Sequence, residues 1–176
     1  MSPESSPALG NLKTLPRIHL KATFYRMVRA EDADAILSTG PSFAYGGRYN
    51  KADEFGALYL SEAPAICEQE KLRQVANRPE LLPAQVLGAI EVDIRDVLDL
   101  TDAANQRALG ISFAQLTDPL DLTLPQAVAE AARALGINAL LVPSAVAAGK
   151  NLVVFEDRLT QPSCKVRTVK TQKWQA

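Results

Sequence analysis

From residue 85 to 94 the chain alternates, with Val86, Gly88, Ile90, Val92 and Ile94 on one side of an extended backbone. A period of two is the signature of a β-strand, because a helix would scatter these side chains around its axis. Other strand-sized runs rich in β-branched, aromatic or aliphatic residues occur at 22–28, 57–61, 139–142, 152–155 and 166–169. Between them the pattern predicts helices. One spans 31–37 and is closed by Gly40-Pro41. Another starts at Glu62, capped by Ser61 with Pro64 in its first turn, and runs to about Asn77 before Arg78-Pro79. A short helix is expected around 102–109, and a longer one over 126–135 between Pro125 and Gly136. Residues 96–100 read as the start of a polar connection, and 110–122 carry no clear period. Strands and helices mixed in this way predict an α+β domain built on a mixed β-sheet with flanking helices.

At 176 residues the chain is sized for one such domain, and its hydrophobic fraction of 47% is ordinary for a globular protein. Residues 1–16 are rich in Pro and Ser and are expected to form a flexible arm. The folded domain is expected over 17–160, with a final strand and tail over 161–176. Lys165, Arg167, Lys170 and Lys173 with Trp174 give that tail a basic character, which suits a solvated terminal strand or a partner contact.

Several function classes are disfavoured. Lys+Arg (19) and Asp+Glu (20) nearly cancel, so there is no basic field for direct nucleic-acid binding. A single histidine, His19, and two distant cysteines, Cys67 and Cys164, cannot assemble the usual zinc ligand sets, and no metal is expected. The same cysteine usage, with no signal-peptide pattern and no membrane-length apolar run, leads us to expect a cytoplasmic protein. Gly149-Lys150 resembles the end of a phosphate-binding P-loop, but the first glycine is missing and Asn151 stands where Ser or Thr would hold magnesium. Neither a dinucleotide-binding glycine fingerprint nor a serine-hydrolase elbow is present.

The remaining polar residues sit in glycine loops and at strand ends. Gly46-Gly47 permits close backbone approach, and Arg48 then offers a planar fork of donors suited to pyrophosphate or carboxylate; the plain alternative is a turn with a surface arginine. Glu68 and Glu70 both lie in the expected 62–77 helix, and helical spacing does not say which faces inward. Ser144 follows Pro143 in a loop of small residues, where it either meets a ligand or caps a turn. Asn151 and Tyr59 likewise admit structural roles, an Asx turn and a core aromatic.

Taken in order, Gly46-Gly47-Arg48-Tyr49-Asn50, Ala57-Leu58-Tyr59-Leu60-Ser61, a helical glutamate, Val142-Pro143-Ser144-Ala145 and Lys150-Asn151-Leu152-Val153 resemble the RES domain family, named for its arginine, glutamate and serine. The resemblance extends over roughly residues 24–157. It implies an ADP-ribosyltransferase-like fold and a toxin of a toxin–antitoxin pair, encoded beside a helical Xre-type antitoxin. It also implies that NAD is the substrate, consumed by cleavage of its nicotinamide–ribose bond with water or phosphate as acceptor, or used to ADP-ribosylate a protein. Carried over residue by residue, Arg48, Glu70 and Ser144 match the named catalytic set, with Glu70 favoured over Glu68 because it follows Tyr59 by eleven residues. Arg26, Arg48, Tyr59 and Asn151 are the NAD-contacting candidates, with Arg26 joining Arg48 on the pyrophosphate. Tyr49 stands where the family often has tryptophan, and Lys51, Asp53 and Glu54 depart from its usual loop. A non-catalytic NAD-binding interaction module is the alternative from outside enzymology.

Overall fold

The computed structural model describes residues 7–175. Its elements, in chain order, are β1 (Ile18–Arg29), α1 (Gly40–Tyr45), β2 (Ala57–Ser61), α2 (Pro64–Gln74), β3 (Gln85–Asp99), α3 (Ala103–Leu109), α4 (Phe113–Thr117), α5 (Thr123–Ala134), β4 (Ala139–Pro143), β5 (Lys150–Phe155) and β6 (Cys164–Trp174). Short 3-10 turns at Leu9–Thr14, Ala30–Ala35, Pro79–Leu81 and Glu156–Arg158 complete them. The expected α+β class with a mixed sheet is the fold observed: β3 and β4 run parallel, and all other neighbours pair antiparallel.

Strand order is β1-β2-β5-β4-β3-β6, and β1 pairs with β3 as well as β2. The β1–β2 contact is brief, at Tyr25 and Ser61, but it closes the first five strands into a ring from which β6 extends. The alternation of residues 85–94 has its reason here. Ile90, Val92 and Ile94 point into a core shared with Phe24, Leu58, Leu60, Leu152 and Val154. The opposite face of β2, β4 and β5 is covered by α3, α4, α5 and the N-terminal 3-10 turn, in a second core containing Leu98, Leu109, Leu116, Val128, Leu140, Val153 and Phe155. Strands buried on both faces need continuous apolar runs, which is why residues 139–142 and 152–155 show no alternation.

Three sequence expectations are corrected. Residues 96–100 are not a connection: β3 passes through a bulge, where Ile18 faces Val97 and Leu20 faces Ile94, and Asp96 takes φ 53°. The bulge resets the phase, so the strand continues although its alternation stops. Residues 9–15 pack on the domain, with Leu12 fully buried and the Ala8 amide bonded to the Leu109 carbonyl; residues 1–6 of the expected arm lie outside the described ones. Ser61 does not cap α2, because it is the last residue of β2, buried opposite Asn151. The strand expected within 161–176 is present as β6, longer than the 166–169 run and paired along β3 from Ile94–Cys164 to Gln85–Trp174, since the free edge of β3 offers a ladder that sequence cannot reveal. Among the described residues no helix is long and apolar enough to cross a membrane.

Candidate functional site

Along one face of β2 the side chains run Ala57, Tyr59, Ser61, and along the same face of β5 they run Phe155, Val153, Asn151, in register pair by pair. The apolar ends of both series belong to the helix-covered core. The polar ends, Ser61 and Asn151, emerge beyond it into a cavity of about 620 Å³. The strands thus carry their residues from core to site in two steps of two residues each.

Helix α2 closes one side of this cavity with Glu70, Arg73 and Gln74, a spacing that places all three on one face. Glu70 Oε1 accepts a hydrogen bond of 2.8 Å from Asn151 Nδ2. Burial pushes the Glu70 carboxyl above its ordinary range, against the opposing pull of Asn151, the Lys71 charge and the Ser61 hydroxyl. Glu68 lines none of the cavities around α2, so Glu70 is the carboxylate the helix presents. Arg73 reaches over to the Ala145 carbonyl at 3.4 Å.

The loop from Gly46 to Phe55 forms the opposite wall. Asn50, fully buried, donates to the Ser42 and Phe55 carbonyls and accepts from the Tyr59 hydroxyl at 2.7 Å. Tyr59 in turn accepts from the Tyr49 amide. Both of its hydrogen-bonding roles are filled, and burial raises its pKa, so it offers the cavity a neutral ring wall. Gly47 lies so close that a Cβ there would meet the Tyr59 hydroxyl at 2.6 Å, so it is a steric requirement of that tyrosine, while Gly46 is required by its own φ of 73° and by the Ala52 amide 3.0 Å from where its Cβ would lie. Arg48 faces the cavity and is anchored through Nη1 alone, to the carbonyls of Leu116 (3.3 Å) and Asp118 (2.6 Å), which leaves the rest of the fork free of protein acceptors among the described residues.

Arg26 is not beside Arg48. It lines an adjoining hollow of about 220 Å³ with Tyr25, Cys67 and Lys71, and the two spaces share Tyr59, Ser61, Glu70 and Gln74 as a common wall. Its Nη2 donates to the Ser38 carbonyl at 3.2 Å, while Nη1 is buried without a partner. Asn151 Oδ1 is likewise buried and unpartnered at the Glu70 end of the wall.

Ser144 takes the bland alternative. Only 3% exposed, its hydroxyl accepts from the Val146 and Ala147 amides at 3.2 and 3.3 Å, and it is absent from the residues lining the cavity. Its neighbours Pro143, Ala145 and Val146 form the wall instead. The geometry therefore brings together Arg48, Tyr59, Glu70 and Asn151, places Arg26 across the shared wall, and turns Ser144 onto its own loop.

Sequence reasoning missed Ser61, Lys71 and Arg73. The signals were present: Ser61 stands two residues after Tyr59 in a strand, and Arg73 three after Glu70 in a helix. Locally, Ser61 reads as a helix cap.

Comparison with known proteins identifies the chain's relatives. The chain is 33% identical over 150 residues to the NAD(+) phosphorylase MbcT of Mycobacterium bovis and of Mycobacterium tuberculosis, covering 82% of this chain and 78% of those proteins. It is similar to a chain in the crystal structure of the M. tuberculosis MbcT–MbcA toxin–antitoxin complex, with a TM-score of 0.80 and 30% identity over 94% of this chain and 91% of that one. The RES domain family model matches residues 23–175, and with that match over most of its length this chain is a member of the RES domain family.

Proposed function

We propose that this protein is the toxin of a toxin–antitoxin pair and depletes NAD by cleaving the bond between nicotinamide and ribose. The observation that carries the reading is Glu70: a desolvated carboxylate held by Asn151 on the wall of a cavity whose opposite side presents Arg48. The similarity to MbcT, over most of both chains, supports it.

In this reading NAD lies in the larger cavity, with its pyrophosphate on the free donors of Arg48 and on Arg73, and its nicotinamide riboside against the Tyr59 ring. Cleavage sends the C1′–N1 electron pair onto the pyridinium nitrogen and releases neutral nicotinamide, leaving positive charge to develop on the ribose. A carboxylate beside that ribose stabilises the transition state more than the ground state. Glu70 also accepts the proton of the incoming nucleophile, a task favoured by a carboxyl whose pKa lies above the usual range. Ser144 holds the loop that bears Pro143, Ala145 and Val146 and acts on the reaction only through that wall.

An antitoxin partner follows from the same likeness to the toxin–antitoxin complex. Tyr45, 87% exposed at the cavity mouth, and Leu120, 91% exposed two residues beyond the Asp118 carbonyl that anchors Arg48, offer apolar contacts beside the entrance. The deciding experiment incubates purified protein with NAD and follows nicotinamide. Release is expected, with the proteome of an expressing host left unmodified by mass spectrometry. Unconsumed NAD that still binds by calorimetry would overturn the enzymatic reading, and ADP-ribosylated host protein would replace it with transfer.

A further inference from the structure

Past Arg73 the main cavity adjoins a groove of about 490 Å³ between α2 and the loop segment Ala145-Val146. Arg73, Ala145 and Val146 line both spaces, so the two meet at that side chain. The 3.4 Å bond from Arg73 to the Ala145 carbonyl lies at the outer limit of a hydrogen bond, and little holds the guanidinium across the junction. Gln69, Leu72 and Asn77 complete the groove. The first two share a face of α2 with Arg73, at i, i+3 and i+4. Asn77 arrives by a different route. After α2 the chain reverses through two successive left-handed residues, Ala76 (φ 52°) and Asn77 (φ 59°), and the Asn77 amide bonds the Leu72 carbonyl at 2.8 Å. Glycine is the usual residue for such a reversal, because a Cβ is crowded there. Here an alanine accepts that strain, and the reversal turns Asn77 back onto the groove.

The lining narrows the class of ligand. None of these residues is a carboxylate; the polar groups are one guanidinium and two side-chain amides, set beside aliphatic Leu72, Ala145 and Val146. A flat heteroaromatic base suits that set. A guanidinium plane stacks on such a base, aliphatic side chains pack on its faces, and a Gln or Asn amide pairs as donor and acceptor at once with the N6–N7 edge of adenine. The volume also falls within the roughly 300–1,000 Å³ of small-molecule sites.

We propose that this groove is an adenine subsite in which Gln69 and Asn77 select the base. The inference rests on the NAD-cleaving reading and concerns the half of the dinucleotide that does not react. With the nicotinamide riboside at Glu70 and the pyrophosphate at Arg73, the second nucleoside extends past Arg73 into the groove. Binding energy gathered there holds the reacting ribose against Glu70 without touching the bond that breaks.

Two measurements test the subsite separately from NAD cleavage itself. The variant is Gln69→Ala combined with Asn77→Gly, which keeps Arg73 and suits the left-handed backbone at 77, with circular dichroism checking that it folds. In turnover, the wild type should prefer NAD over nicotinamide hypoxanthine dinucleotide, whose base carries an oxygen in place of the adenine amino group, by about tenfold or more in kcat/KM. The variant should raise KM for NAD by about tenfold and shrink that preference to within about twofold. In binding, adenosine monophosphate titrated into the protein without NAD should be held by the wild type and about tenfold more weakly by the variant. The proposal is overturned if the wild type treats the two dinucleotides alike, or if the variant keeps the preference, since the base would then be read elsewhere. It is equally overturned if adenosine monophosphate fails to bind at millimolar concentration or binds both proteins alike. Binding that depends on Gln69 and Asn77, in a protein that never consumes NAD, would support the subsite and reject the cleavage reading.

Discussion

Two loops flank the cavity, and both looked equally functional as strings of small and polar residues: Gly46–Asn50 with Arg48, and Pro143–Gly149 with Ser144. They differ in who satisfies the backbone. In the first, Asn50, the Tyr59 hydroxyl and Gln126, which donates to the Gly47 carbonyl at 3.0 Å, take up the main-chain groups. Arg48 is thereby free to face the cavity. In the second, no long side chain precedes the turn, so the Val146 and Ala147 amides fall to the Ser144 hydroxyl. A polar loop residue serves a ligand only when its own loop does not need it.

The comparison can be broken at its strongest point first. Glu70→Gln keeps the shape of the wall and removes the charge, and nicotinamide release should fall by about a hundredfold or more, with NAD affinity nearly retained. A variant that stays active would dissolve the proposed site. Next, Arg48→Ala should lower kcat/KM by roughly tenfold to a hundredfold, chiefly through KM for NAD, the range expected for losing charge-assisted hydrogen bonds. Its melting temperature should also drop, since the Leu116 and Asp118 carbonyls lose their donor.

Gly47→Ala tests the packing under that arginine. With a Cβ 2.6 Å from the Tyr59 hydroxyl something must move, so a loss of about 1–3 kcal/mol in denaturant unfolding is expected, together with reduced turnover. Ser144→Ala should cost about 1 kcal/mol for its two amide bonds and change turnover by less than about threefold. Equal stability with abolished turnover would show that Ser144 acts on substrate and that the two loops are alike after all.

The smallest effect concerns pH. The folded-state pKa of Glu70 is raised above its unfolded value, so Glu70 favours folding below the unfolded pKa and loses that contribution as pH rises through the folded one. Glu70→Gln should therefore melt slightly higher than wild type at neutral pH, with the two converging in acid. Turnover should run the opposite way, rising with pH as the carboxylate forms. A melting temperature lowered by Glu70→Gln at neutral pH would mean that Glu70 is a structural anchor.

Much of this was legible in the residues themselves. Period-two alternation identified the strand at 85–94, and Pro125 and Gly136 bracketed α5 closely, because local sterics act within a few residues. Helices α1 and α4 escaped because each is a single short turn region, too brief for a period; α4 is held by a Ser112–Gln115 capping box that is plain once the structure shows it. The Glu68–Glu70 ambiguity also could not be resolved locally, since both occupy plausible faces and only the position of β5, which supplies Asn151, distinguishes them.

The sequence by itself determined the α+β class, the β2 and α2 segments, and which residue types could meet: an arginine beyond a glycine pair, a helical glutamate, an asparagine in a strand. Those are properties of nearby residues, set by backbone sterics and side-chain period. Only the tertiary structure decided that β1 pairs with both β2 and β3 to close the ring, and that Arg26 and Arg48 open into different spaces on either side of Glu70. It alone showed that Ser144 is committed to its own loop. Each of these depends on which strands lie side by side, and pairing between distant segments is chosen by burial and hydrogen-bond satisfaction over the whole domain.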